Sequence, residues 1–175
     1  MLAFVTLGTP GCIVPEPPTY DPPSPTAPVL DTFGANPTNL YPTSLPGDRV
    51  PGFQLTVPFR SEDSGEEVWA GLYIDWGTNP SPLPNNYRRY EPSTYDDDKR
   101  RIDITIRGSL SPGCHTVSLF VTHMSNTLVD KSGELYLNED AAEGDLGVAT
   151  WFFNVDPPAT DPTTLSRCPA RPTVQ

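Results

Sequence analysis

This sequence predicts an all-β domain built as a sandwich of two packed antiparallel sheets, about seven strands in all. Three observations carry that expectation. Apolar residues in the middle of the chain recur at every second position, the repeat of a half-buried strand. Turn signals, Pro46-Gly47, Ser64-Gly65, Pro112-Gly113 and Ser132-Gly133, separate those segments. The 23 prolines divide the chain: 13 fall within residues 1–58, five within 157–175, and five in the 98 residues between. Proline has no N–H to give to a sheet ladder, so the middle folds and the two ends run extended.

Residues 1–12, Met-Leu-Ala-Phe-Val-Thr-Leu-Gly-Thr-Pro-Gly-Cys, are apolar at first and then small up to a cysteine. The stretch is shorter than the roughly 20 apolar residues that span a bilayer. It resembles the end of a bacterial lipoprotein signal peptide, with Gly11 before Cys12; Thr9, Pro10 and the missing basic region depart from that pattern. The resemblance implies a lipid on Cys12 and an exported chain anchored in the outer membrane, facing periplasm or cell surface; the alternative is a secretory remnant without lipid or a chance hydrophobic start. Residues 13–28 follow as a stalk, with seven prolines in the fourteen positions 15–28. Polyproline II geometry makes it a semi-rigid spacer of roughly 50 Å, at about 3.1 Å per residue.

The domain itself is expected over 29–156. A weak strand covers Val29 to Phe33. Phe53, Leu55, Val57 and Phe59 alternate with polar neighbours, and Val68, Ala70, Leu72, Ile74 and Trp76 form the next inward face, with Trp69 and Tyr73 on the other side. Ile102, Ile104 and Ile106, then Val117, Leu119 and Val121, then Ala149, Trp151, Phe153 and Val155 complete the set. No window of helical length shows a 3.6-residue repeat, so helices are absent or reduced to single turns.

Leu110-Ser-Pro-Gly-Cys-His-Thr-Val-Ser-Leu-Phe-Val-Thr resembles the E to F corner of bacterial immunoglobulin-like and fibronectin-III-like domains, and Ala149 to Asp156 resembles their last strand. This resemblance implies an immunoglobulin-like sandwich and says little about function. One departure is the tyrosine usual early in the strand that starts near Gly113, which is missing.

With Cys12 lipidated, Cys114 and Cys168 remain, and a pair in an exported chain is most simply a disulfide. Cys114 is out of phase with Val117, Leu119 and Val121, so its thiol is expected to point outward. The bond then ties the proline-rich tail, 157–175, against the outside of the sandwich, a closure contributing roughly a few kcal/mol.

The charge balance is 11 basic against 22 acidic residues, a net of −11. Such a surface repels phosphate backbones, so no nucleic-acid partner is expected. No nucleophile elbow, zinc-protease helix, phosphate loop or EF-hand pattern occurs, so neither an enzyme nor a cofactor or metal is expected. His115 and His123 share one strand face at a separation of roughly 26 Å and read as strand-end residues. The acidic stretch Asn138 to Asp145 reads as a flexible hairpin tip, within an excursion whose Leu128, Val129, Leu135, Tyr136 and Leu137 suggest an extra β-ribbon.

The segment from Gly77 to Asp98 brings Tyr87, Tyr90 and Tyr95 beside Arg88 and Arg89, close to Trp76. Tyrosine and arginine dominate recognition surfaces, and aromatic faces stack on sugars. The segment reads either as a crossover whose tyrosines cap the core edge or as a binding loop. The functional expectation is a non-catalytic envelope lipoprotein whose domain is a structural or protein-binding module, partnered by another envelope or surface protein; the alternative is a carbohydrate-binding module for envelope or extracellular polysaccharide.

Overall fold

The computed structural model describes residues 26–62, 65–78, 83–92, 100–140 and 142–157. Segment 1–12, nearly all of the stalk, Tyr95, Cys12, Cys168 and the tail beyond Pro157 lie outside the described residues.

The chain is all-β. Its strands are β1 (Val29–Leu30), β2 (Thr43–Leu45), β3 (Gln54–Arg60), β4 (Val68–Ile74), β5 (Asn86–Tyr90), β6 (Arg100–Thr105), β7 (Gly113–His123), β8 (Thr127–Val129), β9 (Leu135–Leu137) and β10 (Gly147–Val155). Two 3-10 turns, Gly47–Arg49 and Met124–Asn126, are the helical pieces among the described residues. One sheet has the order β1-β3-β6, a second β2-β10-β7-β4-β5, and β8 pairs with β9 as a separate ribbon.

The period-2 pattern fixes which side chains meet between the two large sheets. Leu55, Val57 and Phe59 of β3 and Ile102 and Ile104 of β6 face Val68, Ala70 and Leu72 of β4, Val117, Leu119 and Val121 of β7, and Ala149, Trp151, Phe153 and Val155 of β10. Each strand alternates between this core and its other face, as the sequence indicated. At about 25 cal/mol per Å² of apolar surface removed from water, this is the dominant stabilising contact.

Four expectations need correction. The five-stranded sheet is mixed, because β2 runs parallel to β10, with Phe153 opposite Thr43 and Val155 opposite Leu45. The early strand from Val29 ends at Leu30, because the chain then turns: Asp31 Oδ1 accepts the Gly34 N–H at 2.9 Å. A strand, β5, occupies part of the segment from Gly77 to Asp98. Finally, Trp76 is not on the inner face. The chain turns at Asp75, a residue with φ of 50°, and this carries Trp76 to the far side of the sheet.

That far side is a second apolar layer. Trp69 and Tyr73 of β4 and Phe120 of β7 pack there with Leu137 of β9 and Ala142. Trp76, Tyr87, Leu135 and Val148 complete its margin. The rings of Tyr73 and Trp76 meet edge-on at 4.4 Å between centroids, and those of Tyr73 and Phe120 at 5.3 Å. Contacts of this kind contribute roughly 0.5–1.5 kcal/mol each beyond their buried area. Tyr73 Oη accepts the Leu137 N–H at 3.2 Å, and burial pushes its phenol up to about 12. Gly71 is required beneath the Trp69 indole, since a Cβ there would stand 2.0 Å from Cη2.

The β8-β9 excursion is thus a lid over the outer face of β4 and β7, so that nearly all of β4 and β7 from Thr116 onward are buried on both faces. Its acidic tip is no free hairpin end: Ala142 and Asp145 are buried, and the Ala142 N–H donates to the Asn138 carbonyl at 3.1 Å.

Candidate functional site

The aromatic and arginine surface expected from the sequence is divided by the pleat of β5. Tyr87 leans on the outer cluster beside Trp76, whereas Tyr90 points inward and packs edge-on against Phe59 at 5.4 Å. Arg88 and Arg89 are exposed on opposite faces, and Arg89 is ion-paired to Glu67. Trp76, Tyr87 and Tyr90 therefore present no common face, and their rings are spent on the margins of two apolar clusters.

The two histidines stand at opposite ends of β7, each in a network the sequence did not announce. His123 has a side chain with 0% exposure. Its Nδ1–H donates to the Asp145 carboxylate, 2.8 Å from each oxygen, and Asn126 Nδ2 donates to the same group at 2.6 Å. Ser61 Oγ, at the end of β3 in the opposite sheet, lies 3.1 Å from His123 Nε2.

Serine, histidine and aspartate in this order have the hydrogen-bond sequence of a nucleophile, its base and an orienting carboxylate. Burial argues against that use. A general base must pass its proton on to a leaving group, which needs the ring edge open to substrate. The His123 ring is closed off between the sheets, where it joins β3, β7 and the connection into β10. It is a latch holding the 124–146 excursion to the domain.

His115, third residue of β7, is bound on both nitrogens. Nδ1–H donates to Asp75 Oδ2 at 2.7 Å and Nε2–H to the Ser111 carbonyl at 2.8 Å, while Ser111 Oγ stands farther off at 3.5 Å. A ring that donates twice is an imidazolium. The Asp75 hydrogen bond accordingly raises the His115 pKa above the ordinary 6.5, against the opposing effect of burial. For Asp75, burial alone pushes the carboxyl up, but hydrogen bonds from His115 and from the Thr116 N–H, at 2.8 Å, together hold it below the ordinary 3.8. A side chain early in this strand that reaches back to a carbonyl four residues upstream does what the tyrosine of the tyrosine corner does. His115 makes a bond of that form, to the Ser111 carbonyl.

Alternation puts Cys114 on the face of β7 away from Val117 and Val121, opposite Asn154 of β10. Cys12 and Cys168 both lie outside the described residues.

Three of the six large apolar side chains exposed among the described residues lie on the connection from β1 to β2, the others being Val29 of β1 and Leu128 and Val129 of β8. Phe33 is 77% exposed, Tyr41 75% and Leu40 57%. Hydrogen bonds pin this connection to both sheets: Asn36 pairs with Thr56 of β3, and Trp151 Nε1–H of β10 donates to the Pro37 carbonyl at 2.8 Å. Its apolar tips thus stand on a fixed base.

No protein-family model matches the chain, and no curated protein matches it.

Proposed function

We propose that this chain is a non-catalytic binding module of the cell envelope: an immunoglobulin-like sandwich carried on the stalk 13–28, anchored through lipid on Cys12, and contacting a protein partner through the β1–β2 connection. One observation carries the functional part. Phe33, Leu40 and Tyr41 project into solvent from a connection that is itself hydrogen-bonded to both sheets. Exposed aromatic residues on a rigid base lose little entropy on binding, which is the economy of interface hot spots.

The sandwich reading is supported by the partition of strands. With β1, β3 and β6 on one side and β4, β7 and β10 on the other, chain order matches the A-B-E against C-F-G division of immunoglobulin-like domains. The non-catalytic reading is supported by the histidines, each engaged on both ring nitrogens. A Cys114–Cys168 disulfide, with the sulfur of Cys114 on the outer face of β7, fits a clamp on the tail.

Two measurements test the proposal. Photo-cross-linkers placed at positions 33 and 41 in the native envelope are expected to capture one defined protein, with position 131, an exposed turn of the lid, as control. Equal yields from 33, 41 and 131 overturn the contact surface. The mature chain is expected to carry acyl groups on Cys12 and to partition into detergent; a fully soluble, unacylated chain overturns the anchor.

A further inference from the structure

A groove of about 500 Å³ opens at the β1 end of the three-stranded sheet, lined by Val29, Leu30, Asp31, Pro58, Phe59, Arg60 and Arg101. Its two arginines are neighbours by register. Pro58 stands directly opposite Arg101, so Arg60, two residues on, is the diagonal neighbour on the same face, at roughly 7–8 Å. Like charges so placed repel. The chain has twice as many acidic as basic residues, yet neither guanidinium forms an ion pair or side-chain hydrogen bond among the described residues. An unpaired arginine couple over an apolar floor is a preformed anion receptor, because each guanidinium offers a planar fork matched to a carboxylate.

The rest of the lining narrows the ligand. Val29 and Pro58, on the same outer face as the two arginines, give an apolar patch on which the C–H face of a sugar ring can lie, while Leu30 and Phe59 back it from the core side. Asp31 has one oxygen engaged by Gly34 N–H and keeps acceptor capacity for a ligand hydroxyl. Its charge also repels a dianion. A phosphate therefore meets both attraction and repulsion here, whereas a uronate brings a single negative charge and several hydroxyl donors. The volume lies in the range of small-ligand sites.

We infer that this groove binds a carboxylated sugar, a uronate unit of an acidic polysaccharide, with Arg60 and Arg101 on the carboxylate and Asp31 on a ring hydroxyl. The site shares no residue with the Phe33, Leu40 and Tyr41 contact, so the failure of either proposal leaves the other standing.

The test is calorimetric titration of the full chain at low salt with an oligogalacturonate, its methyl ester and inorganic phosphate. The oligogalacturonate is expected to bind and the neutral ester not to bind. Arg60→Ala and Arg101→Ala are each expected to weaken binding about tenfold or more with an unchanged melting temperature, since both side chains are exposed. Asp31→Asn is expected to weaken uronate and strengthen phosphate. Binding of the ester as tight as that of the acid, arginine variants that bind like the wild type, or phosphate competing as well as uronate would each overturn the proposal. Cross-linking from position 33 is expected to be unchanged in the Arg60→Ala and Arg101→Ala chains.

Discussion

The two ends of β7 solve one problem differently. At its start His115 lies near the surface, charged, in a corner that pins the turn from β6 against the end of β4. At its end His123 lies fully buried and ties the lid excursion to the opposite sheet through Ser61 and Asp145. The same two residue types, serine and aspartate, meet both rings. What differs is access to water: the His115 side chain is 12% exposed and that of His123 0%. A serine near a histidine near an aspartate is thus a recurring way to satisfy a polar strand end, and needs an open ring edge before it implies chemistry.

The largest effect is expected at the buried end. His123→Ala leaves the Asp145 carboxylate buried with its Asn126 contact alone and opens a cavity, which is expected to cost roughly 3–4 kcal/mol by denaturant unfolding. A loss under about 1 kcal/mol would show that the latch carries little of the lid's attachment.

A smaller, pH-dependent loss is expected at the corner. A histidine raised above 6.5 contributes fully below that value and loses its contribution as pH rises through the raised value. Asp75, held below 3.8, contributes above that value and loses its share as pH falls through the depressed one. The stability gap between wild type and His115→Ala is therefore expected to be widest between about pH 4 and pH 6.5 and to narrow toward alkaline pH. A gap that widens on the alkaline side would contradict the charged corner.

Smallest is Ser61→Ala, expected to cost about 1 kcal/mol or less, the net worth of one hydrogen bond. Treatment of the wild type with a fluorophosphonate is expected to leave Ser61 unlabelled; a covalent adduct there would turn the latch into an active site.

These contrasts also mark what was legible in the sequence. Strands β3, β6 and β10 stand out because one face is wholly apolar, and a repeat of two is visible in any window. The Asn86-Tyr-Arg-Arg-Tyr90 run of β5 has no such repeat, since it is an edge strand stabilised by the β4 ladder and by Asn86 donating to the Thr105 carbonyl. The run Val-Trp-Ala-Gly-Leu-Tyr-Ile of β4 already had the nearly unbroken apolar character of a strand covered on both faces, which was the available signal for the outer layer.

The networks were less accessible. Ser61 and Asp145 are 62 and 22 residues from His123, and only the folded topology brings them together. The one local hint was a polar residue at an inward phase of an apolar strand. His115 lies 40 residues from Asp75, so its network too is made only by the folded topology.

The central proposal is that the histidine networks build the domain while a protein partner is bound at the β1–β2 connection. It is tested most directly by cross-linking yield from a photoreactive residue at position 40 in the native envelope, normalised to folded protein, in three chains. A Phe33→Ala/Tyr41→Ala chain is expected to lose about tenfold in yield with its melting temperature unchanged, and Ser61→Ala to keep the wild-type yield. A folded Ser61→Ala chain that no longer cross-links, or a Phe33→Ala/Tyr41→Ala chain that cross-links like the wild type, would contradict the account.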